Sequence, residues 1–236
     1  PPSTTPDHLP SPSDRPHVRN PTRMDVILHR CAQDLLALIE TPAAREQRGL
    51  IGTLVGLLRA EDGTAALAAE ALGRLVCLAD EELTAVGNAI REAGGIAPLV
   101  ELLRAGGGSQ AATNAAEALR YLAVCNQINK DAIREAGGIT PLVELLRAGG
   151  GSQAATQAAG TLRNLGIGNQ SNSDAIQEAG GIVLLVELLR AGGGSEAAAD
   201  TAGALANLAF NNQSNQDAIR EAGGIAPLVE LLRAGG

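Results

Sequence analysis

Tryptophan is absent from this chain of 236 residues, which also has only one Tyr, one Phe, one Met and a single lysine, Lys130. A core without aromatics must be filled by Ala, Leu, Val and Ile, which favours closely packed helices over a sandwich of aromatic-rich strands. Positive charge is scarce: 18 Lys and Arg stand against 26 Asp and Glu, for a net charge of −8. That excludes general nucleic-acid binding, which needs clustered cations to displace counterions. No apolar run is long enough to span a bilayer, and the first residues show no signal-peptide pattern, so the expected setting is cytoplasmic or nuclear, with no membrane partner. Cys31, Cys77 and Cys125 are odd in number and far apart, without a C-x-x-C, and read as reduced, packed thiols.

Catalytic chemistry is equally thin. His8, His17 and His29 are the only histidines, and His29 and Cys31 are spaced too closely to share a helical face, so no metal or other cofactor is expected. No nucleophile–base pair stands out, and the many Glu fall at solvent-facing helix positions, so no enzyme is expected. The runs "AGGGSQ" and "AGGGSE" lack the G-K-[ST] of a phosphate-binding loop.

What the chain does have is repetition. Residues 1–23 hold seven of the eleven prolines and read as an extended tail. Met24, Ile27, Leu28, Cys31, Leu35, Leu38 and Ile39 then recur at helical spacing, which predicts a capping helix over 24–41, with Thr41 and Pro42 opening the next element. From there "AGGI" begins at Ala93, Ala136, Ala179 and Ala222, always 43 residues apart. A diverged copy, "RGLIGTLVGLLRA" at 48–60, aligns with "AGGIAPLVELLRA" at 93–105. Such a period marks a stack of helical units. We read units at about 42–87, 88–130, 131–173 and 174–216, with a partial one at 217–236.

Each unit resolves into three helices. The first is short, as in "KDAIREA", with Asp131, Asp174 or Asp217 expected at its start, where a carboxylate suits the helix dipole. A Gly-Gly pair ends it through a left-handed residue. The second helix opens near Pro98, Pro141 or Pro227, with Leu184 in that place once, and Ile96, Leu99, Val100, Leu102 and Leu103 cover most of it. Ser109, Ser152 or Ser195 is expected to cap the Ala-rich third helix. In the last unit Ile225, Leu228, Val229, Leu231 and Leu232 are expected to leave packing surface uncovered, a candidate contact for self-association.

With the "AL-x-N-L" ending on the third helix ("TLRNL" at 161–165, "ALANL" at 204–208), the pattern resembles the armadillo repeat family over about residues 42–236. The resemblance implies an all-α, right-handed solenoid whose third helices line a concave groove that holds an extended peptide. It also implies that the Asn of "N-L", here Asn164 and Asn207, bonds the peptide backbone. The same slot holds Arg74 and Tyr121 in the earlier units. Importin-like members place Trp four residues before the slot; here those positions are Glu70, Glu117, Gly160 and Gly203, which argues against nuclear-import cargo and suggests an open, shallow floor at the two glycines.

Positions three after the slot, Cys77, Val124, Ile167 and Phe210, share the same face, and Arg120 and Arg163 flank it. The candidate partner-binding residues are thus Arg74, Glu117, Arg120, Tyr121, Arg163, Asn164, Asn207 and Phe210. The expected role is a non-catalytic scaffold for a protein or peptide partner. The alternatives are an assembly module acting through exposed solenoid ends and a consensus-like engineered repeat protein.

Overall fold

Apolar residues at three- and four-residue steps fold as helices throughout. The structure, a computed structural model, describes residues 48–234 apart from 62, 78, 80–82, 107, 125 and 193–194. The expected tail and capping helix, the Thr41–Pro42 junction, Cys31, Cys125 and all three histidines lie outside the described residues.

Thirteen α-helices and no strand are present among them. In chain order they are α1 (Arg48–Leu57), α2 (Thr64–Cys77), α3 (Leu83–Glu92), α4 (Ile96–Leu103), α5 (Gln110–Leu122), α6 (Gln127–Glu135) and α7 (Ile139–Leu145), which runs on as a 3-10 turn to Ala148. There follow α8 (Gln153–Gly166), α9 (Gln170–Glu178), α10 (Gly181–Arg190), α11 (Ser195–Ala209), α12 (Gln213–Glu221) and α13 (Ile225–Ala234). In the diverged copy, α1 takes the place of a second helix and α2 that of a third.

The two glycines of each "AGGI" do different work. Gly94, Gly137, Gly180 and Gly223 have φ between 72° and 78°, the left-handed conformation that ends a first helix. The glycine after each one is needed for space. A Cβ on Gly138 would lie 2.9 Å from both Cγ2 and the carbonyl oxygen of Ile133, and one on Gly181 only 2.7 Å from Ile176 Cγ2.

The second helices bury one face, as expected: Ile96, Leu99, Val100 and Leu103 are buried, Leu102 is half-buried, and Glu101 pairs with Arg104 in solvent. The third helices pack against one another along the stack, with α5 between α2 and α8, and α8 between α5 and α11. Their alanines make this possible: Ala68, Ala71, Ala115, Ala118, Ala155, Ala158 and Ala204 are essentially inaccessible, and Leu72, Leu119, Leu162 and Leu205 fill the spaces between. Each such leucine contributes roughly 1.5–3 kcal/mol, and one continuous core runs from Leu50 to Ile219. On α13, Ile225, Val229 and Leu232 are exposed.

The start of the first helix differs from expectation. α6, α9 and α12 begin at Gln127, Gln170 and Gln213, four residues before Asp131, Asp174 and Asp217. The N-caps are Asn126, Asn169 and Asn212, whose side chains accept from the backbone N–H groups of Asn129, Asn172 and Asn215. Asparagine wins because its carbonyl reaches that orphan N–H while its amide stays free to bond sideways. Asn169 Nδ2 donates to Asp131 at 2.8 Å and Asn212 Nδ2 to Asp174 at 3.0 Å, so those aspartates tie one unit to the next. Asn129, Asn172 and Asn215, all fully buried, donate back to the carbonyls of Leu122, Leu165 and Leu208 and so hold the preceding third helix. Of the expected serine caps, Ser109 accepts from the Ala112 N–H at 3.1 Å. Ser152 stands at the cap position without a side-chain cap bond, and Ser195 is the first residue of α11, its side chain outside the described residues.

Candidate functional site

Helix periodicity puts the slot residue, the residue four before it and the residue three after it on one face of each third helix. The structure leaves the slot residue and the residue three after it exposed or half-buried in every unit. In the slot, Arg74 is exposed, and Tyr121, Asn164 and Asn207 are half-buried. Three residues on, Cys77 is exposed, Val124 half-buried, Ile167 46% exposed and Phe210 73% exposed. Cys77 is therefore not the packed thiol that its apolar surroundings in sequence suggest; it is free and at the surface.

The residues four before the slot behave in two ways. Glu70 and Glu117 are half-buried carboxylates on the neighbouring helices α2 and α5. Gly160 and Gly203, on α8 and α11, do not make the open floor expected of them. Each is covered by an arginine from the helix before it. A Cβ on Gly160 would lie 2.7 Å from Arg120 Nε, and one on Gly203 would lie 2.7 Å from Arg163 Nε. The missing side chain leaves a notch, and a guanidinium fills it.

One carboxylate anchors both arginines. Asp200, with 4% of its side chain exposed, has Oδ1 3.0 Å from Arg163 Nη1 and Oδ2 3.0 Å from Arg120 Nη2. Arg120 Nη1 also donates to Gln157 Oε1 and lies 3.2 Å from Glu196 Oε1. The arginine thus spans from α5 across α8 to α11. Asp200 and Gln157 hold equivalent places in their units, as does Asn114, whose amide donates to the Ala66 carbonyl at 2.9 Å. Asp200, Gln157 and Glu196 were missed in the sequence. The available signal was a size exchange: where the residue before the slot is Arg (120, 163), the next helix has Gly four before its own slot (160, 203). Where it is Gly73, the next helix has Glu117.

The slot asparagines share one geometry. Asn164 Nδ2 donates to the Arg120 carbonyl at 3.0 Å, and Asn207 Nδ2 to the Arg163 carbonyl at 3.1 Å. Their amide nitrogens are engaged with the preceding third helix, and each Oδ1 keeps its acceptor capacity. Burial, helped by a hydrogen bond with the Cys77 thiol and by the charge of Glu117, pushes the Tyr121 phenol up to about 12, so it stays a neutral donor over the physiological range. Burial first, and then repulsion from Glu70 and Glu196, raises the carboxyl of Glu117 above its ordinary value against the opposing pull of Arg120.

A depression in the surface lies elsewhere. It has a volume of about 660 Å³ and sits between the second helices α4 and α7, lined by Leu103, Pro141 and Leu145. A smaller version recurs between α7 and α10, where Leu184 replaces the proline. The crevice is thus rebuilt at successive junctions from the part of the repeat that the copies share. Among the described residues, no cluster of His, Cys, Asp and Glu has the makings of a metal site, and no helix is long and apolar enough to cross a membrane.

Residues 88–124 and 126–166 match the model of the armadillo/β-catenin-like repeat. A comparison with curated proteins returns no match. Among solved structures, the chain is 35% identical to an engineered protein, with a TM-score of 0.77, over 86% of this chain and 82% of that one. A designed armadillo repeat protein solved in complex with the peptide (KR)4 is 26% identical, with a TM-score of 0.69, over 87% of this chain and 82% of that one. The armadillo-repeats-only protein of Plasmodium falciparum shares the fold at 20% identity, with a TM-score of 0.67, over 89% of this chain and 98% of that one. No enzymatic family is matched, and the architecture, the glycine turns and the repeat matches agree: the chain belongs to the armadillo repeat family.

Proposed function

We propose that this protein is a non-catalytic scaffold, cytoplasmic or nuclear, that binds an extended peptide or disordered segment of a partner protein along the accessible face of its third helices. One observation carries this reading. The copies agree in their second helices and differ on that face, where the slot reads Arg74, Tyr121, Asn164 and Asn207 and the neighbouring column reads Cys77, Val124, Ile167 and Phe210. Residues released from the shared packing rule are the ones able to encode a partner. Their chemistry suits an extended chain: the Oδ1 atoms of Asn164 and Asn207 accept from peptide N–H groups, Tyr121 donates, and Ile167 and Phe210 offer apolar contact. The raised carboxyl of Glu117 beside Glu70 favours a basic partner residue there. That a designed armadillo repeat protein was solved in complex with (KR)4 supports peptide binding of this general kind.

The test is a panel of extended peptides screened against the intact chain, followed by calorimetric titration of the best binder. Y121A/N164A/N207A/F210A is expected to lose at least tenfold in affinity. Unchanged affinity in a variant with native helicity overturns the proposal. A second reading, a consensus-like engineered repeat protein, is favoured by the 35% identity to an engineered protein and by the near-identity of the second helices. It is distinguished by a panel in which no peptide binds above background.

A further inference from the structure

The face proposed above as a peptide site is not uniform, and the difference lies in what fills it. Along α8 and α11 the chain has two notches, at Gly160 and Gly203, where a side chain of any size would collide with a guanidinium already in place. The notches have a polar lining that one would build for such a group. Asp200 is buried and presents one carboxylate oxygen to each arginine at 3.0 Å, and Gln157, also buried, accepts from Arg120 at 3.2 Å. Planar donors held by a carboxylate over an open backbone are the mode by which a protein selects arginine over lysine.

We infer that the Gly160–Gly203–Asp200 floor is an arginine-binding site occupied from within by Arg120 and Arg163, and that these built-in occupants exclude arginine-bearing segments from this half of the face. The inference deepens the peptide-scaffold reading by naming a partner chemistry that is refused. The two occupants are unequally held. Arg120 is 22% exposed and meets Gln157, Glu196 and Asp200, whereas Arg163 is 44% exposed and has Asp200 alone. Gly203 is therefore the notch most readily vacated. An acidic partner residue gains little there, because drawing Arg163 away leaves the buried Asp200 with one fewer counter-charge.

The experiment vacates one notch and probes it directly. R163A keeps Arg120 on Asp200 and so keeps the carboxylate paired. A fluorescein-labelled peptide of alternating glycine and arginine is titrated into the wild-type chain, R163A, R163A/D200N and R147A, with an alternating glycine–lysine peptide as control. R147A removes the same charge from an exposed site on the other side of the unit. R163A is expected to bind the arginine peptide at least tenfold tighter than the wild type, with a smaller gain for the lysine peptide. R163A/D200N is expected to lose that gain, and R147A to show none. A folded R163A without the gain overturns the inference, as does an equal gain in R147A or R163A/D200N, which reduces the effect to net charge. Should R163A/D200N not fold, R163A/G203V, which fills the vacated notch with carbon, takes its place with the same expected loss. Because the probe is an arginine peptide rather than the natural partner, failure here leaves the peptide-scaffold reading standing. Failure of that reading appears instead as an unaffected Y121A/N164A/N207A/F210A.

Discussion

The junction between α2 and α5 and the junctions joining α5, α8 and α11 stack the same helix in the same place by different means. At the first, Gly73 lies under Ala118, where a Cβ would come 3.3 Å from the Ala118 Cα, so backbone meets backbone and no guanidinium reaches across from that position. At the later ones the same position is Arg120 or Arg163, the facing residue is glycine, and a guanidinium reaches over the notch to Asp200. The packing rule tolerates either arrangement because it constrains the summed size of a pair rather than each residue. What changes is the surface. The first junction keeps two carboxylates, Glu70 and Glu117, available on the face, while the later ones consume their charge internally.

The comparison is broken most strongly by removing the arginines. R120A/R163A leaves Asp200 buried without a counter-charge, and its stability in urea is expected to fall by about 3 kcal/mol, the lower end of the cost of such a loss, because the arginine ends lie partly in solvent. A result under about 1 kcal/mol would show the network to be ornamental. A transplant sharpens the comparison. G73R alone crowds the first junction and is expected to cost roughly 1–3 kcal/mol, whereas G73R/E117G recreates the Arg-over-Gly pairing. A double-mutant cycle is expected to show favourable coupling of about 1 kcal/mol, and additivity would refute the size-exchange rule.

A smaller effect separates the inter-unit asparagine contacts. Asn126 Nδ2 meets the neutral Asn88 at 3.0 Å, while Asn169 Nδ2 meets the carboxylate of Asp131 at 2.8 Å. Each alanine variant is expected to cost about 0.5–2 kcal/mol through the lost cap, and N169A more than N126A, since charge-assisted bonds are stronger. Thermal unfolding of the pair measures this ordering.

The smallest effect belongs to Glu117. Its folded carboxyl is raised, so the folded state binds its proton more tightly than the unfolded state does. The ionised form therefore works against the fold: the cost is absent below the ordinary carboxylate range and grows as pH rises through the raised value. E117Q is expected to stabilise the chain near neutral pH by less than ~1 kcal/mol after solvent screening, with the gain gone by about pH 4. A gain that persists in acid would mean the substitution acts through packing.

How much was legible in the residues can be judged position by position. The second helix and its buried face were readable from Ile96, Leu99, Val100 and Leu103, and the turns from the paired glycines, because both depend on neighbours within a few residues. The first-helix start was misplaced at Asp131. An aspartate and an asparagine are both good caps, and only the structure shows that Asn126 takes the role while Asp131 bonds the next unit. The face of the third helices was readable as a face, since 3.6-residue periodicity defines it. Its floor was not: a glycine in sequence looks like empty space, and only the packed neighbour reveals that Gly160 holds Arg120.

By itself the sequence determined a stack of three-helix units, because periodicity, glycine placement and alanine content act over one turn or one repeat, and the 43-residue spacing then copies the result. Only the tertiary structure decided where the long side chains end. Arg120 finds partners 37, 76 and 80 residues ahead of it, in Gln157, Glu196 and Asp200. No local rule specifies that choice. It exists because stacking the third helices brings three turns, far apart in the chain, within the reach of one flexible arginine.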